Sequence, residues 1–184
     1  MAGFDFPAEA RSFAERARLI LHEAPRDHAA SSTRAATPDQ VILKAPRPAA
    51  VLYPIIARPE GLSVLLTERA GHLSNHAGQV AFPGGRIEHG EAAQDAALRE
   101  AEEEIGLDRG FVRPIGFLPT YYTGTGFQVQ PMVGLVDPAA TFSPDPGEVT
   151  RVFEIPLVHA LNLAHYRQSR AWWQCSRRCW FSMN

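Results

Sequence analysis

Apolar positions along the chain change period several times, and each change marks an element. From Pro7 to Glu23, Ala10, Phe13, Ala17, Ile20 and Leu21 recur at helical spacing behind a proline in the first turn, which predicts one amphipathic helix. From Pro25 to Pro48 the residues become Ala, Ser, Thr and Pro with scattered arginines, the composition of a linker. The core is expected to begin at Ala49. There, Ala49 to Ala57 and Leu62 to Thr67 are apolar, β-rich runs separated by Arg-Pro-Glu-Gly, so they read as paired strands. A loop from Gly71 to Gly78 and a short strand-like Gln79 to Phe82 follow, stopped by Pro83-Gly84-Gly85. Glu91 to Glu104 has high helix propensity and lacks Gly and Pro; Gly106 stands where a C-terminal cap belongs. Phe111 to Leu118, Gln128 to Val136 and Val149 to Ile155 are further strands, and Leu157 to Leu163 a short helix. No internal repeat is visible. Strands on both sides of a central helix imply an α/β fold in which helices cover a sheet.

Length and composition then narrow the class. At 184 residues, 45% hydrophobic and 21% charged, the chain suits one packed domain with extensions: an N-terminal helix and Ala/Pro-rich linker over 1–48, and a domain over 49–184. No apolar run reaches the length of a bilayer span and the N-terminus carries charges throughout, so a cytoplasmic protein without a membrane partner is expected. Cys175 and Cys179 are too few for a disulfide framework or a zinc site. The formal charge is only −2, yet residues 85–107 hold two arginines against seven acids. An acidic centre in a mildly basic surround suits a cation site approached by an anionic substrate, and argues against nucleic acid as a partner.

The acids are patterned. At 100° per residue, Glu100, Glu103 and Glu104 fall on one side of the central helix, with Leu98, Ala101 and Ile105 on the other. Such an arrangement could be a solvated acidic face. However, like charges at i, i+3 and i+4 repel, and near a helix C-terminus the macrodipole disfavours them further. A cation would remove both penalties, and carboxylates without Cys or His favour Mg²⁺ or Mn²⁺ over zinc.

Gly85, Glu91, Arg99, Glu100, Glu103, Glu104, Gly106 and Leu107 together resemble the Nudix box, G-x5-E-x7-R-E-U-x-E-E-x-G-U with U apolar; Ala101 is smaller than the usual residue at its position. The resemblance implies an α/β/α sandwich around a mixed sheet and Mg²⁺- or Mn²⁺-dependent hydrolysis of a nucleoside diphosphate derivative, a small-molecule nucleotide substrate. It implies metal ligation by Glu100, Glu103, Glu104 and the Gly85 carbonyl, with these glutamates as the catalytic residues. It also implies an ion pair of Glu91 with Arg99 and a structural role for Gly106. Glu103 is one candidate base; in this family the base can lie outside the box, where Glu148 or Glu154 could serve.

Upstream, Leu65-Leu66-Thr67-Glu68-Arg69-Ala70 and Gly78 through Phe82-Pro83-Gly84-Gly85 resemble the additional signature of the coenzyme A pyrophosphatase branch, LLTxR[SA]-x3-R-x3-G-x3-FPGG. This implies cleavage of coenzyme A or acyl-CoA to 3′,5′-ADP and (acyl-)phosphopantetheine, with Arg69, His76 and Phe82 as candidate substrate contacts. Ser74 occupies the position of the signature's arginine, and serine cannot replace a bidentate phosphate contact. The alternatives are a pyrophosphatase of broader specificity, acting on NADH, ADP-ribose or dinucleoside polyphosphates, and a catalytically silent nucleotide-binding module. The resemblance runs from about Ala49 to Leu163. In the last twenty residues, which hold all three tryptophans and several arginines, an edge strand or a truncated end is expected, and a homodimer is the candidate assembly.

Overall fold

The structure, a computed structural model, describes residues 6–26, 45–73, 77–123, 125–173 and 176–183, with side chains as far as Tyr166. The elements in chain order are α1 (Ala8–Arg18), β1 (Arg47–Arg58), β2 (Gly61–Arg69), β3 (Val80–Ala81), β4 (Gly84–Arg86), α2 (Ala93–Ile105), β5 (Val112–Phe117), β6 (Tyr121–Tyr122), β7 (Phe127–Val136), β8 (Val149–Pro156), α3 (Leu157–Ala160), β9 (Tyr166–Trp173) and β10 (Ser176–Met183).

The two apolar runs form a hairpin: Ile55 lies opposite Val64, and Gly61 closes the turn at φ 126°, a backbone that side-chain-bearing residues rarely adopt. β7 runs parallel to β1 from Phe127 beside Arg47 to Val136 beside Ile56. A parallel pair needs a long crossover, and β2 to β6 with α2 supply it. β5 pairs antiparallel with β7 and β8 antiparallel with β2, so the sheet is mixed, in the order β3-β2-β1-β7-β5, with β4, β6 and β8 pairing off that path.

β1 is buried on both faces, and its alternation shows how. Ala50, Leu52 and Ile56 pack with Ala97, Leu98, Ala101 and Ile105 of α2. Ile55 and Ala57 point the other way, against Phe6, Ala10, Ala14 and Ala17 of the N-terminal segment and Leu157 of α3. The result is an α/β/α sandwich.

Four details differ from the sequence reading. The core starts before Ala49, because Ala10, Ala14 and Ala17 form a buried small-residue stripe that seats α1 on the sheet. That helix stops at Arg18 instead of Glu23: the amides of Leu19 and Ile20 reach back only three residues, and the chain then turns so that His22 pairs with Phe117 through two backbone hydrogen bonds of 2.9 and 2.7 Å. The helix expected over Leu157 to Leu163 is four residues long, followed by a 3₁₀ turn at Leu163–His165. After it, β9 and β10 form an antiparallel hairpin with its own two-stranded sheet, where one edge strand was expected. Among the described residues no helix is long and apolar enough to cross a membrane.

Candidate active site

α2 runs without an interruption until Gly106, whose left-handed φ of 65° ends it, while the Gly106 amide bonds the Glu102 carbonyl at 2.9 Å. The carbonyls of Glu104 and Ile105 accept from the amides of Asp145 and Ser143, at 3.0 and 2.8 Å. The loop that caps the helix therefore continues directly to Glu148, whose own carbonyl accepts from Ala70 at the end of β2. By this route an acid 44 positions beyond Glu104 arrives beside the helix.

The three helix acids do not share one environment. Glu104 is 3% exposed, the one buried acid of α2. Its carboxylate accepts from the Gly84 amide at 3.1 Å and faces Arg69 at 3.5 Å. Burial pushes its carboxyl up to about 7, against the pull of Gly84 and Arg69, and the charges of Glu148 and Glu100 add to the rise. Glu100 is mostly buried and is also pushed up by burial, with Glu103 and Glu148 contributing, although Arg99 opposes the shift. Glu103 stands 58% exposed, held by Arg99 at 3.0 Å. The predicted acidic face is thus a gradient from solvent to core, because the sheet covers the flank carrying Glu104.

Arg99 organises this edge. Its Nε and one terminal nitrogen bond the two oxygens of Glu91 at 2.9 and 3.0 Å, and the same terminal nitrogen reaches the Arg86 carbonyl at 3.0 Å. The hydrogen bonds from Arg99, with one from the Glu88 amide, hold Glu91 below the usual carboxylate range. Loop and helix are so fastened together.

Gly85 lies beside Glu100 so closely that a Cβ there would run into the carboxylate. Gly84 has φ 157° and its missing Cβ is replaced by the Ala50 carbonyl and Val51. These glycines let the backbone lie directly against the acids. Among the described residues no three His, Cys, Asp or Glu side chains form a closed metal cage. The donor set nonetheless suits a hard divalent cation: it contains only oxygens, the acids raise one another's affinity for positive charge, and the side-chain-free Gly85 leaves room against Glu100.

Two other candidates are placed elsewhere. Glu154 is taken up by Arg58, which bonds both its oxygens (3.2 and 2.6 Å), and by Ser63, so its carboxylate has a structural partner. Phe82 turns to the α1 face, its ring 3.6 Å from that of Tyr53. Ser74 and His76 lie outside the described residues. The Arg58–Glu154 pair, 96 positions apart, had no signal in the sequence.

Residues 46–183 match the family model described as the NUDIX domain, and the chain belongs to the Nudix family. Among its relatives, the Escherichia coli K12 protein named Uncharacterized Nudix hydrolase NudL is 50% identical over 121 residues, 65% of this chain and 62% of the relative. The chain thus spans about three-fifths of the length of the curated relatives it matches. In fold it is similar to a C. elegans Ap4A hydrolase in a binary complex, at 18% identity and TM-score 0.52 over 61% of this chain and 83% of that one. It is also similar to the NUDIX domain of Shewanella oneidensis NrtR complexed with ADP ribose, at 18% identity and TM-score 0.50 over 68% and 81%.

Proposed function

We propose that the chain is a Nudix pyrophosphohydrolase, and that its preferred substrate is coenzyme A or an acyl-CoA, cut to 3′,5′-ADP and (acyl-)phosphopantetheine. The observation that carries the reading is the buried Glu104 carboxylate, held against the Gly84 amide within the field of Glu100 and Glu148. A nucleotide-binding module without chemistry has no use for so costly a group.

In this reading Glu100, Glu103, Glu104 and the Gly85 carbonyl hold Mg²⁺ or Mn²⁺. Such ions, when bound, neutralise the diphosphate oxygens and acidify the attacking water. Arg99 with Glu91 fixes the loop on the helix, so that the Gly85 backbone keeps its place beside Glu100. Arg69, partly exposed and aimed at the acids, is positioned to meet an anionic diphosphate. Glu148 is the candidate to accept the water's proton: its charge is felt at both Glu100 and Glu104, and its loop is tied to both α2 and β2. Glu103 is the alternative base, and the Arg58 pairing of Glu154 speaks against the third candidate. The nucleotide half of the substrate accords with the names of the structural neighbours, an Ap4A hydrolase and an ADP-ribose complex.

The coenzyme A assignment is supported by the Leu65 to Gly85 signature. Ser74, in place of its arginine, favours a second reading, a broader enzyme that also accepts NADH, ADP-ribose and dinucleoside polyphosphates. A panel of these substrates with Mg²⁺ or Mn²⁺ tests both. Release of 3′,5′-ADP at the highest kcat/KM supports the first, near-equal rates the second, and no hydrolysis of any substrate overturns the enzyme reading.

A further inference from the structure

On the face of the sheet opposite α2, between α1 and α3, lies a cavity of about 390 Å³. Its floor is Tyr53 and Ile55 of β1 with Val133 of β7, and its walls include Phe13 of α1. The stitching of His22 to Phe117 and the alanine stripe of α1 fix the nearer wall, so the space is a built feature of the fold. Ile20 and Leu161 line it while remaining 78% and 67% exposed, which places them at its mouth. The volume falls within the range of about 300–1,000 Å³ typical of small-molecule sites.

The lining is chemically one-sided. Among the described residues Arg16 is the single charged group of the lining, no acid lines the cavity, and Arg16 pairs with no carboxylate. A nucleobase or peptide would bring several hydrogen-bonding groups onto a floor on which Tyr53 carries the one polar group, too few to satisfy them. A second copy docking by two-fold symmetry would bring like-charged arginines toward one another. What fits is an apolar chain that ends in an anion.

We propose that this cavity binds a medium-chain fatty carboxylate, with the alkyl chain on Tyr53, Ile55 and Val133 and the carboxylate at Arg16. The site is separate from the acids of α2 and does not depend on the proposed hydrolytic activity.

Titration calorimetry of the full chain with hexanoate, octanoate and decanoate tests it. Affinity should rise by about fourfold per added methylene until the cavity is filled. Decanol should bind more weakly than decanoate, and Arg16→Gln should reduce decanoate affinity by about fivefold while leaving decanol unchanged. Leu161→Glu, at an exposed position, should abolish decanoate binding without altering the melting temperature. Absence of binding, affinity independent of chain length, or equal binding of decanol and decanoate would overturn the proposal. So would a dimer in sedimentation that Leu161→Glu dissociates and decanoate leaves intact, since the groove would then be a contact between copies.

Discussion

Arg99, on α2, grips Glu91, eight positions earlier and just before the helix, with two nitrogens at 2.9 and 3.0 Å. Its remaining terminal nitrogen bonds Glu100 and Glu103, both at 3.0 Å. One planar fork therefore ties the loop to the helix and spaces two of the acids. Lysine offers one point charge and cannot make these contacts together. Arg99→Lys should lower stability by about 1–2 kcal/mol, which corresponds to roughly 2–8 °C in melting temperature for a chain of this size. Turnover should fall with it. A melt and a turnover number both equal to those of the parent would show that charge alone suffices here.

Glu104 separates stability from catalysis. It is almost fully buried, and its ionised form is disfavoured by that burial. Glu104→Gln keeps the shape, and its amide oxygen can still accept from Gly84. At pH about 8 the variant should melt at the same temperature as the parent or higher, as expected where a functional group is kept at a cost in stability. Its turnover with Mg²⁺ should fall by orders of magnitude. Retained turnover in a folded variant would remove Glu104 from the proposed chemistry.

The sequence made α2 legible because its determinants are local: a run of helix formers, a glycine at the end, and acids whose relative angles follow from 100° per residue. Periodicity defines that arc but not where the sheet meets it, so Glu103 and Glu104, adjacent in sequence, were read as equivalent although one is exposed and the other buried. The apolar face of α1 is legible in the spacing of Ala10, Phe13 and Ala17, but the same period runs on through Ile20, which is exposed beyond the end of the helix, so the sequence extends the helix too far. Long-range relationships were invisible for a different reason. The parallel register of β1 with β7 and the Arg58–Glu154 pair join segments about 80 to 100 positions apart, and no local pattern records such a meeting.

The Arg58–Glu154 pair gives a pH prediction. Burial alone would push the Glu154 carboxyl up, but hydrogen bonds from Arg58 and Ser63 outweigh it and hold the group below its ordinary 4.5. A carboxyl with a depressed folded pKa stabilises the fold fully above the unfolded value, and loses that contribution as pH falls through the folded value. Glu154→Gln should therefore lower the melting temperature near neutral pH, by roughly 2–4 °C if the pair contributes about 1 kcal/mol. The gap between variant and parent should close on acidification below about 4.5. A gap that is constant from neutral to acid pH would assign the loss to packing instead of charge.

Two glycines of the same motif should fail in opposite ways when replaced by alanine. At Gly106 the backbone is left-handed, with φ 65°, and a Cβ would meet backbone and side-chain atoms of Ser143 at 3.0–3.1 Å. Both the conformation and the contact oppose a side chain, so Gly106→Ala should cost about 1–2 kcal/mol of stability. Each molecule that remains folded should still turn over normally, because the acids are untouched. At Gly85 the φ lies outside the left-handed region and the three atoms nearest to an added Cβ all belong to the end of the Glu100 side chain, which can swing aside. Gly85→Ala should therefore melt within about 1 kcal/mol of the parent, yet displace Glu100 and reduce kcat at least tenfold. Thermal melts and kcat corrected for the folded fraction, measured on both variants, decide the matter. If Gly85→Ala loses stability and keeps kcat, the close approach of Gly85 to Glu100 serves only packing, and the proposed metal-holding role of this pair is wrong.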